Sequence, residues 1–462
     1  MKMTVLFAAL VLAGCAAPPL TQPVIDIPAQ FQEGASWKTA QPAEAQARGQ
    51  WWKVFHDGAL DALIAEAGEA NANLAVAAAR VKQARALAGM AQADRVPAIG
   101  AQIGGQRNRV SEAASGVPDG LPAATVWQGK LTASYEVDLF GRVGNQVSAA
   151  RADAEGALAT LQSVLLALQA DVAQTYFRLR ALDAERALMA QTVNLRDENV
   201  RINQRRYELG DLGELDLARA KTELSAARAE AAAIERERAQ LAHALAVLLG
   251  RPAPSFQLAA QPLPKDLAMP VIPAGVPSAL LERRADIASA QQAMVAANAR
   301  IGVARAARFP LLQLSAAGGG EAATLANVFK AGAGAWAVGG LLSLPLIDGG
   351  RNRANIERSQ AQLEESAASY RQTVLSAFAD VENQLSGLRT LDDQTRAIDD
   401  AVASARRSVE LAGKLNAAGR TSYLDVIDAQ RNLAAIERNA VQLRGARAVT
   451  TVGLIRALGG AW

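Results

Sequence analysis

The chain is written twice. Laid against itself at a shift of 209 residues, Trp127 falls on Trp336, Gly141-Arg142 on Gly350-Arg351, and Ala170-Asp171-Val172 on Ala379-Asp380-Val381. Further along, Leu179-Arg180 meets Leu388-Arg389, Leu182-Asp183 meets Leu391-Asp392, Gly210 meets Gly419, Leu215-Asp216 meets Leu424-Asp425, and Leu249-Gly250 meets Leu458-Gly459. One offset holds without a gap over more than 120 residues. Upstream, Arg95-Val96-Pro97 matches Arg308-Phe309-Pro310 at 213, which places a loop four residues longer in the first copy. Each copy is longer than a solenoid unit, so the sequence demands a pseudo-symmetric molecule of two halves and not an array.

Within each copy the hydrophobic period changes. From Trp127 to Leu139 the odd positions are Trp127, Gly129, Leu131, Ala133, Tyr135, Val137 and Leu139. The even ones are Gln128, Lys130, Thr132, Ser134, Glu136 and Asp138. That alternation marks a strand with one apolar and one polar face. Its partner, Pro97 to Arg109, sets Ile99, Ala101 and Ile103 against Gln102, Gln106 and Asn108, and in the second copy Trp336, Val338, Leu342, Leu344 and Leu346 keep the phase. Strands are expected at about 97–109, 125–139, 309–318 and 334–347. Their lengths suit a tilted bilayer crossing, with Trp127, Tyr135, Phe309 and Trp336 as interfacial aromatics. An amphipathic sheet in a water-soluble protein would alternate in the same way.

The period then becomes helical. Leu158, Leu161, Leu165, Leu168, Val172, Thr175, Leu179 and Leu182 form a heptad seam, repeated by Ala367, Tyr370, Val374, Ala377, Val381, Gln384, Leu388 and Leu391. No proline interrupts the chain between Pro122 and Pro252 or after Pro345. Strands that share one membrane require each helical arm to turn back. We place the reversals near Leu182-Asp183 and Leu391-Asp392, with Gly210 to Gly213 and Gly419 punctuating the ascending arms. Four strands cannot close around a pore, and open edges cannot face lipid, so membrane strands need other subunits to complete the sheet.

The amino terminus carries an address. Lys2, the apolar run Val5 to Leu12, and Leu12-Ala13-Gly14 before Cys15, the sole cysteine, resemble the lipobox of bacterial lipoproteins. On this reading residues 1–14 are a signal peptide, Cys15 is acylated, and 15–50 form a proline-containing tether. A plain signal peptide with a bystander cysteine is the alternative. Three acyl chains exceed the two signals that stable anchoring takes, and Ala16, where an Asp would retain the protein at the inner membrane, favours the outer one. The two copies then span 51–260 and 261–462.

Composition excludes more than it identifies. Half of the residues are apolar, but only 4% are aromatic, so alanine-rich helices are expected before a bulky core. A net charge of +3 spread along the chain gives no support to a nucleic-acid partner, and one cysteine forbids a disulfide framework. The two histidines, His56 and His243, lie far apart with no metal-ligand spacing, so neither a metal nor another cofactor is expected. Gly332-Ala333-Gly334 mimics a dinucleotide fingerprint but sits inside a strand pattern with no following helix.

Several motifs run in order along the chain. They are Trp51-Trp52-Lys53-Val54-Phe55 with Leu60 and Leu63-Ile64, then Val137-Asp138-Leu139-Phe140-Gly141-Arg142, and Val172-Ala173-Gln174-Thr175-Tyr176 with Leu179-Arg180-Ala181-Leu182-Asp183. Next come Pro277-Ser278 with Leu281, Arg283-Arg284-Ala285-Asp286-Ile287, Pro345-Leu346-Ile347-Asp348-Gly349-Gly350-Arg351, and Leu424-Asp425-Val426-Ile427-Asp428-Ala429-Gln430. Together they resemble the outer-membrane factor (TolC-like) family of tripartite efflux systems, in its lipoprotein branch. Ala285 departs from the proline more usual there. The resemblance implies a mainly α fold with a membrane β-barrel. Three subunits with four strands each would share 3 × 4 = 12 strands, continued by a long coiled-coil α-helical periplasmic barrel. It also implies a homotrimer, a periplasmic adaptor protein and an inner-membrane efflux pump as partners.

Two functions of different classes fit these features. A passive outer-membrane duct exporting small molecules accounts for lipobox, strands and seam together. A structural periplasmic coiled-coil lipoprotein, or an adaptor without a pore, leaves the strands unexplained. An enzyme explains none of them. A duct must close, and closure is expected where the coiled coils reverse. The charged residues nearest the second expected reversal are Arg389, Asp392, Asp393 and Arg396, and those nearest the first are Arg180, Asp183 and Arg186. Three carboxylates near a narrow axis repel, so a closed ring needs cations within helical reach. Charges that merely solvate a helix tip are the bland alternative.

Overall fold

The computed structural model describes residues 19–20, 23, 25–33, 49–264, 269–270, 272, 275 and 277–460. Cys15 and the signal peptide lie outside the described residues. A short 3-10 helix, Trp51–Phe55, leads into α1 (Gly58–Ala70), α2 (Ala72–Ala93), β1 (Ala98–Asn108), β2 (Ala124–Val137), α3 (Arg142–Glu208) and α4 (Glu214–Leu248). The second copy runs α5 (Ala285–Ala306), β3 (Leu311–Ala322), β4 (Gly334–Ser343), α6 (Arg351–Ala417) and α7 (Tyr423–Ala457).

The repeat is written into these bounds. Helices α3 and α6 have 67 residues each and start 351 − 142 = 209 apart. Helices α4 and α7 have 35 each at the same offset, and α2 and α5 have 22 each at 213. The offset changes between the strands of each copy, where residues 109–123 are matched by the shorter segment 323–333.

Alanine-rich, proline-free sequence lets α3 and α6 each run about 100 Å, at 1.5 Å per residue. Each stops at a glycine in the left-handed region, Gly210 (φ +80°) and Gly419 (φ +67°). There Asp211 and Arg420 donate their amides to the Arg206 and Leu415 carbonyls, while Gly210 and Gly419 donate to Tyr207 and Asn416. This paired pattern closes a helix and satisfies its last carbonyls. Ser422 then opens α7 with a reciprocal capping box to Asp425, whereas Gly213 opens α4 without a side-chain cap. The reversals expected at Leu182-Asp183 and Leu391-Asp392 are therefore corrected: both pairs lie inside unbroken helices. No residue there can take a positive φ cheaply, and the glycines that can are a further 27 residues along.

Strand ends differ from expectation for local reasons. β2 stops at Val137 because Asp138 turns to the next helix, its carboxylate accepting from the Val143 and Gly144 amides at 3.1 and 2.7 Å. β4 stops at Ser343, two residues before Pro345, which has no amide to give a ladder. β3 runs on to Ala322.

Two compact units divide the chain. One holds Ala79–Leu158 and Ser289–Arg371 and contains the sheet, whose strands pair antiparallel in the order β1-β2-β3-β4. The start of α3 is tied to the ends of α2 and α5 by Arg151 donating to Gln92 at 2.7 Å and by the Arg300–Asp153 ion pair, with Phe140 stacked on Phe309 beside them. Gly302 is needed there, since a Cβ would overlap the Asn145 side chain.

The other unit holds Ile25–Ala78, Ala159–Ala288 and Gln372–Trp462. Its seam is buried from Leu168 to Leu182 and from Val374 to Leu388, interrupted only by half-buried Gln384. Ion pairs Asp183–Arg238, Arg186–Glu235 and Asp197–Arg228 link α3 to α4 with nearly constant sums of residue numbers, as an antiparallel hairpin requires. Arg406–Glu437 and Asp392–Arg447 do the same for α6 and α7. Both copies close alike: Asn71 donates to the Leu248 carbonyl at 2.9 Å, and Arg284, its counterpart, donates to Ala457 at 3.1 Å. α3 includes a stretch long and apolar enough to cross a bilayer by composition. Its seam residues Leu168, Val172 and Leu179 are instead buried in the bundle.

Candidate functional site

The register sorts the sheet into two faces. Ile99 pairs with Ala133, Ala101 with Leu131 and Ile103 with Gly129. Leu131 pairs with Gly318 and Tyr135 with Leu314, while Trp336 pairs with Gly318 and Val338 with Ala316. Directly paired residues of an antiparallel sheet share a face. The odd residues of β1 and β2 and the even residues of β3 and β4 therefore form one continuous apolar surface. Ile99, Ile103, Leu131, Trp336, Val338 and Leu342 stand exposed on it. Gln102, Gln106, Gln128, Lys130, Thr132, Ser134, Glu136, Gln313, Ser315 and Glu321 line the other. At the helix end of β2, Glu136 holds Arg142 in a two-pronged ion pair at 2.5 and 2.6 Å. Strands β1 and β4 are open edges.

The residues expected at a gate lie elsewhere. Arg180 and Asp183 are buried in α3 and clasp the segment that joins the two copies. Asp183 accepts from Arg238 at 2.5 Å and from the Gln261 amide at 2.8 Å. Arg180 donates to the Ala259 carbonyl at 3.1 Å, Arg238 donates to Leu258 at 2.9 Å, and the Leu263 amide donates to the Arg180 carbonyl. Arg186 pairs with Glu235 on the exposed side of the same hairpin. In the second copy Arg389 meets Glu33 at 2.8 Å, while Arg396 pairs with Asp392 and Asp393 at 3.2 and 2.7 Å. All seven sit mid-helix.

A different cluster stands closer to the observed reversals. Arg196 of α3, buried, donates to Gln430 of α7 at 2.9 Å and lies 4.0 Å from Glu223 of α4. Glu223 accepts two prongs from Arg431 of α7, at 2.8 and 3.0 Å. Burial holds the Arg196 guanidinium below its usual range despite Glu223, and burial raises the Tyr423 hydroxyl beside it. Glu185, also buried, accepts from Arg438. These bonds tie α7 across to the α3–α4 hairpin. Gly210 and Gly419, which punctuate the arms in the sequence, are each followed three residues on by a helix N-cap, and that spacing is the sequence signal for the reversals nearest this cluster. Among the described residues no group of three or more His, Cys, Asp or Glu is placed to hold a metal ion.

The model of the family described as outer membrane efflux protein matches residues 63–251 and 276–460. The probable efflux pump outer membrane protein TtgC of Pseudomonas putida is 33% identical over 457 residues, covering 98% of this chain and 94% of its own. The cation efflux system protein CusC of Escherichia coli is 32% identical over 464 residues, covering 100% and 99%. Among solved structures, the outer-membrane channel OprN superposes with a TM-score of 0.89 at 28% identity, over 97% of this chain and 99% of that one.

Proposed function

Because the chain belongs to the outer membrane efflux protein family, we propose that it is the passive duct through which a tripartite pump discharges drugs or other toxic small molecules. It is an outer-membrane efflux channel and not an enzyme. The observation that carries the duct is the two-faced sheet with open edges at β1 and β4. A polar inner face and an apolar outer face are what a water-filled barrel in lipid needs, and three copies close 12 strands. An inner-membrane pump and a periplasmic adaptor deliver the cargo. The relatives' names support a broad substrate class, since the chain is about equally similar to a cation efflux protein and to TtgC.

Closure belongs at the periplasmic reversals, which moves it from Leu182-Asp183 and Leu391-Asp392 to the turns at Gly210 and Gly419. Ten to fourteen residues along the helices from those turns, the Arg196–Glu223–Arg431 cluster holds α7 against α3 and α4, and loosening it frees the hairpins to part. Acylation of Cys15 anchors the mature chain beside its strands. Removing the gene should raise cellular retention of a fluorescent efflux dye, and a plasmid copy should restore export. Retention unchanged by removal would sink the export reading. Replacing Cys15→Ser should abolish palmitate labelling, and persistent labelling would refute that assignment.

A further inference from the structure

The apolar face of the sheet is not smooth. Gly129 of β2, Gly320 of β3 and Gly334 of β4 stand side by side in register, with Gly318 one step along that face. Four missing side chains leave a notch. The segment 323–333 folds back over it: a Cβ at Gly320 would overlap the Val328 carbonyl oxygen, and one at Gly129 would press on the Val328 and Phe329 side chains at 3.2 Å. Val328 is buried there, while Phe329 remains 80% exposed. The segment uses its own amides internally, with Asn327, Val328, Lys330 and Ala333 donating to Thr324, Leu325, Asn327 and Lys330. Those four amides therefore need no partner from the apolar surface they lie on.

Beneath Phe329 a cavity of about 610 Å³ remains, walled by Ala101, Ile103, Leu131 and Phe329 and edged by Lys330. Arg107 is the one charged strand residue of this face, at the end of β1 remote from the helix-bearing ends of the strands. The segment 323–333 contains Lys330 and no acid. An apolar slot edged by Lys330, on a face whose one charged strand residue, Arg107, lies four residues beyond Ile103 toward the same strand ends, is complementary to an acyl chain that carries a phosphate at its head.

We propose that this slot holds one acyl chain of a phosphorylated outer-leaflet glycolipid, its phosphate met by Lys330 and Arg107. The proposal rests on the duct reading, which makes this face the lipid-facing one. The purified trimer in phosphatidylcholine nanodiscs doped with lipid A, released and weighed by native mass spectrometry, tests it. Lipid A should be retained in preference to phosphatidylcholine, up to one per subunit. Reversing the charge with Lys330→Glu and Arg107→Glu should cut retention at least about thirtyfold, in line with two cations at a membrane surface. Phe329→Ala should weaken retention, and Gln128→Ala on the opposite face should not. If the double variant fails to assemble, Lys330→Ala alone should still lower retention several-fold. Equal retention of lipid A by wild type and charge variants, or equal retention of phosphatidylcholine, overturns the site while leaving the duct intact. Protein that never enters the nanodisc overturns both.

Discussion

Arg180, Asp183 and Arg238 of the first copy recur, 209 residues on, as Arg389, Asp392 and Arg447 of the second. The same three residue types occupy the same helical positions, yet they do different things. In the first copy the main chain of 258–263 lies across them, and the Asp183 side chain is 0% exposed. In the second, the described main chain that comes near, Gln32 and Glu33, bonds to Glu382 while Glu33 pairs with Arg389, and the Asp392 side chain stays 48% exposed with Arg447 3.6 Å away. Repetition of sequence fixes the helix and its period. It does not fix what covers the helix, and coverage decides whether a charge is structural or merely solvated.

The largest effect should come from removing the carboxylate that coverage has made essential. Asp183→Ala leaves Arg180 and Arg238 buried without their counter-ion and strips the Gln261 amide of its acceptor. Orphaning a buried charge in this way costs about 3–5 kcal/mol. Thermal unfolding of the purified trimer should show a clear drop in midpoint, while Asp392→Ala, its exact sequence counterpart, should leave the midpoint unchanged because its charges stay in water. Equal drops would erase the distinction between the copies.

The two faces of the sheet offer the next contrast. Arg at Leu131 places a charge on the apolar face and should cost about 2–4 kcal/mol near the bilayer midplane, whereas Arg at Thr132 meets water. Trimer yield from outer membranes should fall for the first change and hold for the second. Similar yields would mean that the phase of the alternation is wrong.

A smaller effect separates Tyr176 from its counterpart Leu385. The Tyr176 hydroxyl donates to Asp57 at 2.7 Å, and Leu385 fills the equivalent buried place with no polar group. Tyr176→Phe should lose about 0.5–1.5 kcal/mol, a typical hydrogen bond. Burial, helped by Asp57, pushes that hydroxyl up to about 12, against about 10 in an unfolded chain. The folded state then keeps a proton that the unfolded state releases. This contribution is complete below pH 10 and is lost as pH rises from about 10 to about 12. Urea unfolding across that window should show the decline in wild type, and the Phe variant should lack this component.

These contrasts also show what could be read in advance. The strands and the seam were legible because their signals are periodic, and a period survives in the sequence alone. Trp127 to Val137 and Leu168 to Leu182 needed no partner to be recognised. The reversals expected at Leu182-Asp183 and Leu391-Asp392 have no glycine or proline to mark them, and both helices run on through them. Gly210 and Gly419, which alone at those turns adopt a positive φ, mark the true ends. The clasp at Asp183 was not legible at all. It depends on main-chain atoms near Gln261, 78 residues away, and nothing local in α3 announces them.

Single-channel recording in planar bilayers tests the central claim, a duct closed at the helical reversals, most directly. Wild-type trimer should give a small resting conductance. Arg431→Ala, which removes the bidentate hold on Glu223 from an exposed position, should raise it several-fold with trimer yield unchanged. Asp392→Ala with Asp393→Ala should match wild type, because those carboxylates lie mid-helix. No conductance from any of the three, or an increase confined to the Asp392 and Asp393 change, would contradict the account.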